Sequence, residues 1–254
     1  MAKSHKFSAA LLFAIGTFLM SMAWLMQSFP VFAFFGLAPF MAIVSGQKKQ
    51  ASHWNSLELI LLGLGVSFFC ATFFALDRLI GVIFLAMMFS LPFLGVSFRR
   101  SLGQGAGLLA IVLFWLALEY AGLKIAPEHT IFLSDLMRLK PDWVRWNAST
   151  GYLGASLWIL LCNALLFKAW FADVKFNWMF LFLFAIAVIS PIVYSYTLAG
   201  SAVEKAQMIQ FYQNDIEGLS LAYMKRGEWI PRTAAWVSVL MLLYSFVLKK
   251  TARK

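Results

Sequence analysis

The sequence predicts an all-α integral membrane protein with eight transmembrane helices and both termini in the cytoplasm. Three observations lead there. Apolar residues make up 62% of the 254-residue chain and charged residues 13%, against roughly 45–50% and about 25% in soluble globular domains. The apolar residues gather into runs near the ~20 residues that a helix needs to cross ~30 Å of hydrocarbon. The formal charge of +10 falls between those runs, and unevenly between the two sides of a membrane.

The runs cover residues 7–27, 30–46, 59–76, 79–98, 105–118, 146–167, 176–198 and 233–248. Lys3, His5 and Lys6 before the first run resemble the start of a signal peptide. The run is long for one, lacks a clear small-residue cleavage site and is followed by further spans, so it reads as a retained helix. The second, fourth and seventh runs contain Pro39, Pro92 and Pro191. Neighbouring helices can satisfy the carbonyls that such prolines free, which makes them tolerated kinks; half-helices lining a transport site are the alternative. Glu58 opens the third run, where a carboxylate suits a helix N-terminus. The fifth run is short and flanked by Glu119 and Tyr120. The sixth holds Asn163 deep inside it. The eighth is also short, flanked by Trp229, Arg232, Lys249 and Lys250, which can anchor or snorkel.

With the N-terminus in the cytoplasm, the inner segments carry twelve Lys and Arg against only Glu58 and Asp173. The outer segments carry nine Lys and Arg against nine acids. Every inner segment then has at least two basic residues, as the positive-inside rule requires. A seven-span arrangement would strand Lys249, Lys250, Arg253 and Lys254 outside. The whole chain, residues 1–254, reads as one transmembrane domain with two long outer loops, 121–145 and 199–232. Residues 206–223 in the second loop have the spacing of an interfacial helix.

Composition also excludes functions. The basic residues flank apolar runs, so the charge is topological and nucleic acid is not an expected partner. Cys70 and Cys162 lie inside runs, which excludes a disulfide framework or a Cys-rich metal site. His5, His53 and His129 all lie outside the runs, so no histidine base stands beside an intramembrane nucleophile. No Asp lies within a run to form a shared-carboxylate pair, and no His-Glu-x-x-His motif occurs. His129 and Asp135 are one residue too far apart for the His-x4-Asp motif of glycerolipid acyltransferases. No catalytic residue, metal ligand or cofactor is expected from the pattern.

Polar residues in or near the membrane are the functional candidates, because burying them is costly. Glu119 reads as a headgroup-level acid paired to a loop arginine, and Asn163 as an interhelical hydrogen-bonding residue. Asp142-Trp143-Val144-Arg145-Trp146 and Glu228-Trp229-Ile230-Pro231-Arg232 mix Trp with Arg at the outer interface. They read as aromatic-belt anchors, or as a rim that holds lipid headgroups or docks a partner.

Four stretches carry a resemblance. Phe29-Pro30 through Pro39-Phe40-Met41 is an aromatic-rich start leading to a central proline. Leu116-Ala117-Leu118-Glu119-Tyr120 ends the fifth run. Thr150-Gly151-Tyr152-Leu153-Gly154-Ala155-Ser156 opens the sixth, which closes on Asn163-Ala164-Leu165-Leu166. Arg226-Gly227-Glu228-Trp229 precedes the eighth. In order and topology these resemble the membrane part of the apolipoprotein N-acyltransferase family along nearly the whole chain. The Arg that usually follows the Glu-aromatic pair is replaced by Ala121-Gly122.

That family carries a nitrilase-like domain between spans seven and eight, with a Glu-Lys-Cys triad. Here only residues 199–232 stand in that place, without a cysteine and too short for such a domain. The resemblance therefore implies a nitrilase-less protein of the bacterial inner membrane, multi-pass, that binds phospholipid or lipoprotein acyl chains or docks a partner. Its candidate residues are Glu119, Tyr120, Arg145, Trp146, Tyr152, Asn163, Glu228 and Trp229. The alternatives are the membrane subunit of a split N-acyltransferase whose nitrilase-like subunit is a separate chain, and a small transporter.

Overall fold

The computed structural model describes residues 7–45, 53–98, 106–125, 129–173, 175–198 and 228–251. Among these the chain is all-helical, with no strand. The eight long helices are α1 (Ala9–Leu25), α2 (Ala33–Ser45), α3 (His53–Ala71), α4 (Leu79–Ser90), α5 (Ala106–Ile125), α6 (Leu153–Trp170), α7 (Trp178–Thr197) and α8 (Trp229–Thr251). Among the described residues, four helical stretches are long and apolar enough to cross a membrane: Leu76–Gly95, Ala106–Ile125, Leu153–Trp170 and Trp178–Thr197. Ala9–Leu25, Pro30–Ser45 and Ser56–Ala71 are apolar but shorter. The expected interfacial helix at 206–223 and the terminal basic residues lie outside the described residues.

Local chemistry sets the helix ends. Ser8 caps α1, its hydroxyl accepting from Leu11 N at 3.2 Å. Asn177 caps α7 by accepting from Met179 N and Phe180 N. Both satisfy amides that the first helical turn leaves without partners. Pro92 cannot donate a backbone hydrogen bond, and α4 gives way there to a 3-10 stretch, Leu91–Phe98.

The end of α3 is unusual. Phe74 N donates to Phe69 O at 3.1 Å and Phe73 N to Cys70 O at 3.0 Å, the paired bonds of a Schellman C-cap. That cap needs a left-handed residue, normally glycine. Here Phe73 has φ 52° and Phe74 φ 62°, a conformation that costs an ordinary residue roughly 1–2 kcal/mol. Phe74 recovers part of this through an edge contact with Phe69, ring centroids 5.5 Å apart.

Helix α1 packs against α2 and α3, α3 against α4, and α2 against α6. Helix α5 packs against α6, α8 and the 91–98 stretch, and α7 against α6. The α1–α2–α3 contact is close because Phe40 lies over Gly16 and Gly63, where an added Cβ would come within 3.1 Å and 2.7 Å of its ring. Aromatic edges fill the next layer, Phe68 on Phe89 and Phe93 on Trp115. Phe7 meets Phe171 at one end of the bundle. Phe29 meets Trp143, and Lys124 meets Glu228, at the other.

Several boundaries differ from the sequence reading: the third run, read as 59–76, is α3 at His53–Ala71, and the eighth, read as a short 233–248, is α8 at Trp229–Thr251. The fifth run was expected to end at Leu118 and the loop to begin at 121, but α5 continues to Ile125. The sixth was expected from 146, yet α6 begins at Leu153, after a helical turn at Asn147–Thr150 and a turn at Gly151, φ 78°. A positive φ at Gly151 lets the chain reverse into α6 without a Cβ clash.

Candidate functional site

The eight residues singled out by sequence fall into four places. Glu119 and Tyr152 come together in one buried cluster. Tyr120 and Glu228 share the junction of α5 and α8. Arg145 and Trp146 form a corner beside the end of α7. Asn163 lies apart, against α2.

Glu119 is fully buried on α5. Its Oε1 accepts from Trp115 Nε1, one turn back, at 3.1 Å and from Leu133 N of the following loop at 2.8 Å. Loop arginine pairing was expected; burial instead selects a neutral indole and a backbone amide. Oε2 is buried and makes no hydrogen bond of ordinary geometry among the described residues.

The loop reaches Glu119 because it folds back closely on α5. An added Cβ at Gly122 would lie 2.6 Å from the Thr130 side chain. Ser134 and Ser156 then exchange bonds in both directions. Ser134 N donates to Ser156 Oγ at 3.0 Å, and Ser156 N to Ser134 Oγ at 3.1 Å. Ser134 Oγ donates in turn to Tyr152 O at 2.7 Å. That hydroxyl is engaged with a carbonyl, so it is not a nucleophile activated by Glu119.

Asp135 completes the cluster. It accepts from the Tyr152 hydroxyl and, at 2.9 Å, from Phe132 N. Burial raises its carboxyl to about 6, although those two donors and Arg138 favour the charged form. Tyr152 was picked out by sequence; Ser134, Asp135 and Trp115 were not. The i,i+4 spacing of Trp115 and Glu119 was the available signal.

At the α5–α8 junction, Lys124 Nζ lies 2.5 Å from Glu228 Oε1, and Arg232 lies 3.7 Å from Glu228 Oε2. Lys124 also stands over the Tyr120 ring at 5.7 Å. Trp229 projects from this junction, 68% exposed.

At the other corner, Arg145 binds Asp142 Oδ1 through Nε and Nη2, at 3.2 and 2.6 Å. Its Nη1 donates to Leu198 O, beyond the last turn of α7, and its backbone N donates to Ser195 Oγ. A cation at a helix C-terminus suits the helix dipole. Trp146 donates to Trp143 O and meets Trp158 edge-on at 5.7 Å.

Asn163 makes the interhelical bonds expected of it, and more. Oδ1 accepts from Leu37 N at 2.8 Å and Ala38 N at 3.0 Å. Nδ2 donates to Ala33 O at 2.8 Å and Ile159 O at 2.9 Å. The first three of these groups lie in α2 before Pro39, which itself has no N–H to give; Ile159 O lies one turn back on α6. The amide therefore satisfies backbone polarity in the turn before Pro39; the carbonyl that Pro39 itself frees is that of Phe35, four residues earlier, which is not among its partners.

Cys70 and Cys162 are buried and free. No group of three or more His, Cys, Asp or Glu able to hold a metal occurs among the described residues. No protein-family model matches the chain, and neither does any curated protein or solved structure.

Proposed function

We propose that this chain is a nitrilase-less relative of the apolipoprotein N-acyltransferase membrane domain that binds the acyl chains of phospholipids or lipoproteins at its outer end. On this reading it lies in a bacterial inner membrane, crosses it eight times and keeps both termini in the cytoplasm.

The Arg145 corner carries the reading. The guanidinium sits where α7 ends, and α7 below it is apolar and largely open, with Phe182, Ile186, Ile189, Val193 and Tyr194 exposed. A cation beside Asp142 at the head of an apolar wall suits a zwitterionic headgroup whose acyl chains run along the helix. The buried cluster around Glu119 supports it by fixing the loop that presents Arg145. The assignment of substrate class rests on the resemblance quoted from the sequence.

The test is native mass spectrometry of the detergent-solubilised protein titrated with phosphatidylethanolamine and with a diacylated lipopeptide. Retention of either well above that of an unrelated multi-pass protein is expected, weakened severalfold by Arg145→Ala. Equal retention by the two proteins would overturn the reading.

A second reading keeps the split enzyme. The charged Lys124–Glu228–Arg232 junction with exposed Trp229 supports it as a surface for a separate nitrilase-like chain. Complementation of an N-acyltransferase-deficient strain, with and without a candidate nitrilase subunit, separates the two.

A further inference from the structure

The α3–α4 turn is not explained by any contact among the described residues. Phe73 occupies the position of the C-cap where glycine is normal, at φ 52°, yet its ring is 68% exposed. Phe74 at least touches Phe69; no ring contact ties Phe73 to another described residue. A glycine there would relieve the backbone and, with Phe73 68% exposed, lose little internal packing. Among the described residues nothing offsets the conformation at Phe73.

The surroundings say what lies there. Leu76 and Ile80 follow in the turn and first helical residues, both more than 70% exposed. Ile83, Phe84 and Met87 continue the same exposed apolar stripe down α4. That stripe belongs to one of the four stretches able to cross a membrane, so the surface at the turn is continuous with a surface that hydrocarbon covers. Asp77 and Arg78 are exposed within the turn itself, one acid and one base side by side. We propose that the α3–α4 turn is a wedge inserted into the glycerol and upper acyl region of a phospholipid layer. Phe73 and Phe74 lie among the chains, Arg78 faces phosphate and Asp77 faces the headgroup amine.

The proposal rests on the membrane-spanning reading of the chain, but not on lipid binding at Arg145. Two measurements test it. The first is the melting temperature of Phe73→Gly in detergent. It is expected to rise by a few degrees, since strain is relieved and little internal contact is lost; a fall would show that the ring packs within the protein and would sink the idea.

The second is photolabelling in phosphatidylethanolamine–phosphatidylglycerol vesicles doped with a phospholipid carrying a diazirine high on its acyl chain. Label is expected on residues 73–80, and Phe73→Gly combined with Phe74→Ser should cut it severalfold. Labelling of the α7 face around Phe182 should stay unchanged. An unlabelled turn beside a labelled α7 face would overturn the proposal while leaving the Arg145 reading intact, as would chain-to-chain cross-linking at the turn.

Discussion

Asn163 and Glu119 are both fully buried polar residues on apolar helices, and both reach across to another element. The amide finds two donors for its oxygen and two acceptors for its nitrogen. The carboxyl finds two donors for one oxygen and none of ordinary geometry for the other. Asn163 joins two helices at a proline turn; Glu119 joins a helix to a loop. A neutral group with donors and acceptors can be satisfied completely in a low-dielectric interior. A carboxyl retains a polar demand that its surroundings meet only in part.

The sharpest break of this comparison is Asn163→Leu. It strands Leu37 N, Ala38 N and Ala33 O beside Pro39, and a loss of about 2 kcal/mol is expected. Reversible unfolding in micelles measures it, and a loss no larger than that of a surface substitution would show that α2 repairs its own turn.

Glu119→Leu comes next, at about 1–2 kcal/mol, because it frees Leu133 N and the Trp115 indole. Its signature is faster amide exchange at Leu133 than in the parent. Glu119→Gln keeps the accepting oxygen and adds a donor, so it should hold stability within about 0.5 kcal/mol. Equal damage from the Gln and Leu variants would mean that the charge itself is required.

The smallest effect is a titration. Asp135 is raised to about 6 from its ordinary 3.8, so the folded state holds its proton more tightly than the unfolded state. The contribution is fully present below the ordinary value and is lost as pH rises through about 6. Melting temperature should therefore fall between about pH 4 and pH 6, and Asp135→Asn should flatten that limb.

Much of the fold was legible because the membrane simplifies it. Each of the eight apolar runs carries one of the long helices, and the polar residues that interrupt them marked the candidates. Boundaries were less legible. Ending the fifth run at Leu118 assumed that a carboxyl must leave the apolar region. The helix runs on to Ile125 because Trp115 and Leu133 N give Glu119 partners inside. Asn163 stood out as a polar residue in an apolar run, but its partners in α2 lie more than 120 residues away in sequence, beyond any local pattern. The Ser134–Ser156 exchange was hidden for a related reason. Serines are common and small, and reciprocity appears only when a loop has been folded back across a helix end.

The bonds around Pro39 also constrain how the molecule can move. One helical residue advances about 1.5 Å along the axis, enough to spoil the contacts of Asn163 with α2 together. Helices α2 and α6 can therefore neither slide nor rotate past one another in small steps; they travel as a single rigid body. Any opening or closing in this protein has to be sought elsewhere, first in α8, packed mainly against α5 and tied at its start by Lys124 and Glu228, since α7 is bonded to its neighbours at its start, middle and end.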